Sequence, residues 1–273
     1  MKKLLALILA VCMLGCFAGC GEKAKTESTA DADAKKETIV VGYTLYEPMN
    51  YMDENNNLIG YDTELAKAVF ENLGYEVIFK EIEWSAKYTD LASGTIDCIW
   101  NGFTCNAKDD DGVERTEKVD FSYNYMENQQ VVVVKKDSGI KAAADLNGKL
   151  GVAESGSAGE TYAKDFKGTT FKGFIKQTEC LFEVKSGTAD FAVLDAQLAK
   201  SSVGKGDYAD LVVVDELTSD VEYYGIGFEK GSELTAKVNA ELEKLGADGT
   251  IEKLAEKYGV ENTAIKDFSD QKK

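Results

Sequence analysis

Short apolar runs alternate with helical patterns along most of this 273-residue sequence. The runs at residues 38–42, 129–135 and 191–194 have the length and composition of buried β-strands, and stretches with apolar residues three or four positions apart lie between them. Alternation of this kind is typical of an α/β protein with largely parallel strands. We therefore predict an α/β fold, and the alternation fits either one doubly wound domain or two smaller lobes.

The N-terminal residues have the layout of an export signal. Lys2 and Lys3 precede an apolar run at residues 4–14, which is typical of a secretory signal peptide and too short for a membrane span of roughly 20 residues. Cys20 follows two small residues and precedes a polar segment, a pattern that resembles a bacterial lipobox. We predict a lipoprotein signal peptide at residues 1–19 and lipid attachment to Cys20. Simple cleavage and secretion is the alternative.

The segment after this cysteine is charged, rich in small residues and aperiodic. Such a sequence cannot bury enough apolar surface to fold. We predict that residues 20–37 form a disordered tether that is anchored to the cell membrane through the lipid on Cys20. The folded body is expected to begin near residue 38.

The charge, histidine and cysteine contents exclude several classes of function. The formal net charge is −17, which argues against nucleic acid or anionic lipid as a direct partner and also favours solubility. The sequence contains no histidine, so a Ser-His-Asp or Cys-His catalytic group is impossible and a zinc site is not expected. Beyond the export signal the cysteines are Cys98, Cys105 and Cys180, an odd number without a CxxC motif. We predict no disulfide framework, no metal and no cofactor, while a single disulfide pair stays open.

A stretch at residues 97–122 carries the chemistry that best indicates a ligand. A buried strand at residues 98–100 leads into a small polar turn, and a lone arginine, Arg115, follows. The planar guanidinium can donate two parallel hydrogen bonds to one carboxylate, so an arginine near free backbone amides is a carboxylate receptor. This predicts a small acid as the ligand. The alternative is a surface arginine paired with Glu114 or Glu117.

The motifs around this arginine resemble those of the amino-acid-binding proteins of ABC transporters, extracellular solute-binding protein family 3. In that family a Gly-Met-Thr-like turn ends the strand, an arginine follows, and a Val-Asp-Phe-Ser run leads to an aromatic residue. The corresponding residues here are Gly102-Phe103-Thr104, Arg115, Val119-Asp120-Phe121-Ser122 and Tyr125. The resemblance extends over residues 38–258, although the segment 105–114 is longer than the family's usual link.

The resemblance implies a two-lobe periplasmic-binding-protein type II fold, in which two extended hinge crossings join the lobes. We expect lobe 1 at residues 38–127 and 224–270 and lobe 2 at residues 128–223. The crossings are expected near residues 126–131 and 220–225. A small ligand is then expected in the cleft between the lobes.

A free amino acid presents a carboxylate, an ammonium and a side chain, and the resemblance implies a partner for the carboxylate. We expect Arg115 and Thr104 to bind it. The backbone amides of Ser157 and Ala158 are expected to help, because they lie at a predicted helix start, where the helix dipole favours an anion. An ordinary capped helix start is the alternative for these two residues.

The resemblance also implies partners for the ammonium and the side chain. We expect Asp195, at the end of a strand, to bind the ammonium with the carbonyl of Gly102. The alternative for Asp195 is a simple helix N-cap. Tyr46 and Trp84 match aromatic positions of the family and are expected to form the wall around the ligand side chain, with burial in the core as the alternative.

Two further residues, Asn101 and Glu154, stand at positions that vary in the family. We expect Asn101 to contact the ligand. Glu154 has two open interpretations, which are selectivity for a polar or cationic side chain and a surface position.

The function implied by the resemblance is capture of an amino acid, with a polar side chain, and its delivery to an ABC permease outside the cytoplasm. We expect no enzyme activity and a monomer, with the free amino acid, the permease and the membrane as partners and no nucleic acid. Two alternatives stay open. One is a dehydratase-like enzyme on the same scaffold, with Glu47, Glu154 or Asp195 as its acid. The other is a ligand sensor for a separate membrane partner.

Overall fold

The computed structural model describes residues 36–272 and contains two five-stranded β-sheets in this range. The predicted signal peptide, Cys20 and nearly all of the predicted tether lie outside the described residues. The strands, in chain order, are β1 (Thr38–Tyr43), β2 (Tyr51–Met52), β3 (Leu58–Ile59), β4 (Glu76–Glu81), β5 (Cys98–Ile99), β6 (Asp120–Phe121), β7 (Met126–Asn128), β8 (Gln130–Lys135), β9 (Leu150–Glu154), β10 (Thr170–Phe174), β11 (Phe191–Asp195), β12 (Leu211–Thr218), β13 (Glu222–Tyr224) and β14 (Gly227–Phe228). The helices are α1 (Tyr61–Asn72), α2 (Lys87–Ala92), α3 (Arg115–Lys118), α4 (Ala158–Lys164), α5 (Gln177–Ser186), α6 (Ala196–Ser202), α7 (Glu233–Ala247) and α8 (Thr250–Tyr258).

The two sheets define two lobes of the α/β type. The sheet of lobe 1 has the order β4-β1-β5-β14-β6, and the sheet of lobe 2 has the order β10-β9-β11-β8-β12. In lobe 1, β1 runs parallel to β4 and β5, whereas β14 runs antiparallel to β5 and β6. In lobe 2, β9, β10 and β11 are parallel, whereas β8 runs antiparallel to its two neighbours, β11 and β12. The predicted α/β class and two-lobe fold are confirmed.

The chain crosses between the two sheets at β7 and β13, which form a small antiparallel pair. Met126 pairs with Tyr224, and Asn128 pairs with Glu222. We call this two-stranded pair the hinge. The predicted lobe boundaries, at residues 127/128 and 223/224, fall within the hinge and stay a prediction.

The core of lobe 1 packs β1 against the helices that cover its sheet. The alternation along β1 buries Ile39 and Val41. Leu65 and Val69 lie on one face of α1 and are fully buried, as their spacing predicts, and Val238 of α7 belongs to the same apolar cluster. Burial of one stripe of each helix is the main source of stability for this lobe.

Asp62 does not cap α1, although an aspartate before an apolar helical pattern is typical of an N-cap. Gly60 occupies the N-cap position, and Asp62 lies in the first helical turn, where its side chain is completely buried. Its Oδ2 accepts hydrogen bonds from the Gly102 amide at 2.8 Å and from the Tyr125 hydroxyl at 3.0 Å. The aspartate therefore joins α1 to the turn after β5 instead of closing the helix start.

The core of lobe 2 is organised around β8, whose apolar residues are buried on both faces of the sheet. Val132 and Val134 pack with Phe191 on one face, and Val131 and Val133 belong to the apolar cluster on the other. A continuous apolar run is typical of a strand that is covered on both sides.

Among residues 36–272, the helices are all too short or too polar to cross a bilayer. The three cysteines in this range, Cys98, Cys105 and Cys180, are buried and unpaired. The disulfide pair that the sequence left open is therefore not formed.

Candidate functional site

A small cavity lies between the lobes and is lined by residues of both. Its free space is about 10 Å³, enough for about one water molecule, so an amino acid can enter only when the lobes move apart. The lining residues are Trp84, Asn101, Gly102, Thr104 and Arg115 from lobe 1 and Glu154, Ser157, Ala158, Gln177 and Asp195 from lobe 2. The structure thus brings together all of the predicted contact residues except Tyr46.

The turn after β5 forms the floor of the cavity in lobe 1. Gly102 has a φ of 55°, and a β-carbon at this position would overlap the hydroxyl of Tyr46. Only glycine adopts this conformation without strain and leaves room for the tyrosine. The amide of Gly102 is held by Asp62, so the position of the turn is fixed by a buried contact with α1.

The side chain of Asn101 holds this turn from the other direction. Its Oδ1 accepts a hydrogen bond from the Thr44 hydroxyl at 2.6 Å, and its Nδ2 donates to the Thr44 carbonyl at 2.8 Å and to Asn50 Oδ1 at 2.7 Å. These bonds occupy the amide group. The backbone of Asn101 is therefore the part that is available to a ligand. Its side-chain amide is not.

Arg115 begins α3, and its side chain is 1% exposed. Nε donates to Asp109 Oδ1 at 2.9 Å, Nη1 to the Thr104 carbonyl at 3.1 Å and Nη2 to the Gly156 carbonyl at 3.2 Å. The guanidinium also lies over the Phe103 ring, 5.2 Å from its centroid. A guanidinium has five N–H donors, so two remain for a ligand. The alternative of a surface arginine paired with neighbouring glutamates is wrong.

The long segment 105–114 supplies the counter-ion for this arginine. Asp109 pairs with Arg115 and also with Lys118, at 2.9 Å in both cases. Burial opposes ionisation of Asp109, but its ion pairs with Lys118 and Arg115 hold its pKa below the ordinary value. The next residue, Asp110, pairs at 2.8 Å with Lys164 on α4 of lobe 2. The extra residues therefore balance the charge of Arg115 and contact the opposite lobe.

Lys87, the first residue of α2, is a second buried cation beside the cavity and was not predicted. Its Nζ donates to the Gly156 carbonyl at 3.0 Å and lies 5.0 Å from the Trp84 ring centroid and 4.6 Å from that of Tyr88. Burial and then the positive charge of Arg115 lower the pKa of Lys87 to about 7. Two cations of lobe 1 thus meet at one carbonyl of lobe 2.

The turn before α4 places Ser157 and Ala158 of lobe 2 at the cavity. Ser157 is the N-cap, and its Oγ accepts a hydrogen bond from the Glu160 amide at 3.0 Å. Its own amide donates to the Glu154 carbonyl at 3.2 Å, because the chain turns tightly at this point. The Ser157 amide thus bonds within the turn, and its expected role as an anion donor stays a prediction. Ala158, the first helical residue, has one of the amides that a helix leaves without an internal partner.

Asp195 ends β11 and stands at the N-cap position of α6 without making a capping bond. Its Oδ1 accepts hydrogen bonds from Asn128 Nδ2 at 2.9 Å and Gln130 Nε2 at 2.6 Å, and its Oδ2 accepts one from Gln177 Nε2. Burial raises the pKa of Asp195, and these amides oppose that rise. The simple helix-cap alternative is wrong, because the carboxylate is held at the cavity by three amides.

Glu154 ends β9 and is 3% exposed, so the surface alternative is wrong. Among the described residues, its Oε1 has no hydrogen-bond partner. Burial, and next the charge of Asp195, raise the pKa of Glu154 well above its ordinary value. A buried carboxyl oxygen without a partner is costly, so this atom is suited to a donor that arrives with a ligand.

The two predicted wall residues differ in position. Trp84 lines the cavity and packs edge-on against Phe103, with ring centroids 5.2 Å apart. Tyr46 is 2% exposed and lies behind Gly102 in the apolar core of lobe 1. Tyr46 therefore shapes the cavity through the turn that it supports.

The whole body of the chain matches one protein family. The model of the bacterial extracellular solute-binding proteins, family 3, matches residues 39–261. The chain belongs to this family. A family 3 protein binds a solute outside the cytoplasm, as the sequence motifs predict.

Relatives of this family 3 protein cover most of its length. The arginine-binding extracellular protein ArtP of Bacillus subtilis (strain 168) is 30% identical over 262 residues, which cover 94% of this chain and 98% of ArtP. An ancestral arginine-binding protein bound to arginine is 37% identical, with a TM-score of 0.74, over 82% of this chain and 98% of that one. The ancestral amino-acid-binding protein AncCDT-1, described as a precursor of cyclohexadienyl dehydratase, is 34% identical, with a TM-score of 0.71, over 81% of this chain and 95% of that one.

Several residues around the site of this family 3 protein were not predicted. Lys87 follows Trp84 by three positions on a short helix, where a lysine normally indicates a solvated face. Gln177 starts α5, and its amide has no sequence pattern that distinguishes it from a surface residue. Asn128 and Gln130 lie on strands of the hinge and lobe 2 and reach Asp195 from more than 60 positions away.

Proposed function

We propose that this family 3 protein captures a free amino acid with a cationic or donor-rich side chain between its lobes and delivers it to an ABC permease. The observation that carries the proposal is the unpartnered, buried carboxyl oxygen of Glu154 at the cavity wall. It would bind the side chain of the ligand, because the two charged ends of an amino acid have other partners in the same cavity.

The carboxylate of the ligand is assigned to Arg115. Two N–H groups of this guanidinium are not used by Asp109, Thr104 or Gly156. The remaining donors match the two oxygens of one carboxylate. The amide of Ala158, at the start of α4, supplies a further donor from lobe 2.

The ammonium is assigned to Asp195, with the Gly102 carbonyl as a second acceptor. Three amides hold the carboxylate in place, so its orientation is set before the ligand arrives. With Arg115 and Asp195 engaged, Glu154 is the acid left in the lining. A cationic side chain would favour the ionised form of Glu154 and pair with it, and the arginine-binding relatives support this choice.

Closure of the lobes follows from the same contacts. Arg115 and Lys87 of lobe 1 both donate to the carbonyl of Gly156 in lobe 2. A ligand that contacts both lobes binds the closed arrangement more tightly than the open one, and only such a difference in affinity shifts the equilibrium. The closed arrangement is then the form that a permease recognises.

The remaining parts of the proposal concern anchoring, assembly and chemistry. We infer a lipid anchor at Cys20, from the sequence pattern there, and a monomeric body. We also infer that the protein is not an enzyme. This is supported by the binding proteins among its relatives, and turnover of a bound cyclic acid would contradict it.

Thermal unfolding of residues 36–273 against a panel of amino acids plus cystine tests the proposal. A ligand at about 100 times its dissociation constant should add roughly 2.7 kcal/mol to the stability, which is a readily visible shift. We expect one or a few cationic or polar hits, and Asp195→Ala should abolish them. If no amino acid in the panel stabilised the protein, capture of amino acids would be refuted. In a separate pull-down experiment, capture of a kinase instead of a permease would favour the sensor alternative.

A further inference from the structure

A second buried carboxylate, Glu222, lies behind Asp195 on the hinge strand β13. It does not line the cavity. Its Oε1 accepts hydrogen bonds from the Thr104 hydroxyl of lobe 1 at 2.9 Å, from Asn128 Nδ2 of the hinge at 2.6 Å and from Gln130 Nε2 of lobe 2 at 2.7 Å. This one oxygen therefore connects both lobes and the hinge.

Glu222 and Asp195 share two of their hydrogen-bond donors. Asn128 Nδ2 and Gln130 Nε2 each donate to Glu222 Oε1 and also to Asp195 Oδ1. Each amide nitrogen carries two protons, so one can go to each carboxylate. The shared amides hold the two acids side by side, and a change in the charge of either acid acts directly on the other.

Among residues 36–272, neither acid forms a salt bridge. Four titratable groups on the surrounding elements face the pair: Cys105 after β5, Tyr224 on β13, Tyr46 after β1 and Glu154 on β9. The nearby cations are Arg115, which donates to the carbonyl of Thr104, and Lys87, whose charge is attracted by that of Glu154. Burial, and next the charge of Asp195, raise the pKa of Glu222 to about 7.

We propose that Glu222 is a positioning residue for Asp195 and that the two acids share one proton, which the ammonium of an arriving amino acid displaces. The inference rests on the proposed function. Two buried carboxylates that share their hydrogen-bond donors disfavour each other's ionisation unless a cation is added. When the ammonium reaches Asp195, the proton leaves the pair for solvent and both carboxylates remain ionised. The charge is conserved, because one cation replaces another.

The proposal fixes the direction of the pH dependence. Ligand and proton compete for the same pair of acids, so affinity should fall as the pH drops below about 7. The loss should approach about tenfold per pH unit when one proton is displaced. An amino acid captured at neutral pH would therefore be released more readily in an acidic environment.

Calorimetric titration of the protein with L-arginine in buffers of different ionisation enthalpy measures this proton directly. At pH 7 the wild type should release a substantial fraction of one proton per ligand bound. Glu222→Gln keeps an acceptor oxygen for Thr104, Asn128 and Gln130, so it should still bind L-arginine while releasing much less and showing a flatter pH profile. Glu127→Gln removes an exposed carboxylate from the neighbouring hinge strand and should behave as the wild type.

The outcomes separate this inference from the function on which it rests. Release that is undiminished in Glu222→Gln would come from Glu154 or another acid and would overturn the proposal. At pH 7 proton uptake by Lys87 would oppose the release, but at pH 6 Lys87 is already largely protonated, because its pKa is about 7. Wild-type binding without release at pH 6 would therefore also overturn the proposal, even if the variant failed to fold. Absence of any binding by the wild type would instead refute the proposed function.

Discussion

Removal of the Arg115 side chain should nearly abolish amino-acid binding. The guanidinium is 1% exposed and makes three hydrogen bonds, to Asp109, Thr104 and Gly156, so its remaining donors are fixed toward the cavity. Arg115→Ala would leave the ligand carboxylate buried without a cation. Breaking a buried pair in this way costs about 3–5 kcal/mol. The dissociation constant should therefore rise roughly a hundredfold to several thousandfold.

Calorimetric titration of the best ligand at pH 7 measures this loss, and Lys118→Ala is the matched control. Lys118 pairs with the same Asp109 at 2.9 Å but does not line the cavity, so its removal should change the affinity by less than about threefold. Thermal unfolding should show that both variants fold, because in each case Asp109 retains the other cation. A loss of less than tenfold in Arg115→Ala would remove this residue from the site.

Three further predictions concern single residues of lobe 1 and the cavity. Glu154→Gln should weaken arginine binding by about tenfold or more relative to glutamine binding, and an unchanged ratio in competition titrations would contradict the role of Glu154. Gly102→Ala should destabilise the protein by about 1–3 kcal/mol in urea, whereas Gly112→Ala, with open space around it, should cost no more than about 1 kcal/mol; equal losses would refute the clash with Tyr46. Burial raises the pKa of Asp62 to about 7, above its unfolded value, so this group lowers stability as the pH rises from about 4 to 7. The stability of Asp62→Asn, measured by urea unfolding, should therefore rise relative to that of the wild type from pH 5 to 7.5. Equal pH dependence of the free energy of unfolding in the two proteins would contradict this.

Features with a local cause could be predicted from the sequence. The strand-like runs and helix patterns are local, and they gave an α/β fold whose strands begin and end within a few residues of those observed. Arg115 was found because its motif is short and contiguous, with a Val-Asp-Phe-Ser run immediately after it. Asp195 was found because it ends a recognisable strand.

The features that could not be predicted depend on contacts between distant parts of the chain. Asn101 turns its amide away from the cavity because Thr44 and Asn50 lie beneath it, 57 and 51 positions earlier. Asp62 looks like a helix cap until the turn after β5 is placed beside α1. Lys87 and Glu222 look like surface charges, and only the approach of the second lobe and the hinge buries them. Local patterns contain no information about these approaches.

If Arg115 binds the carboxylate of a free amino acid between the lobes, a ligand without that group should bind weakly. Agmatine lacks only the carboxylate of L-arginine, and both can be titrated into the wild type and Arg115→Ala. Agmatine should bind the wild type at least about a hundredfold more weakly than arginine, and the difference should nearly vanish in the variant. Agmatine that binds the wild type as tightly as arginine would contradict this role of Arg115.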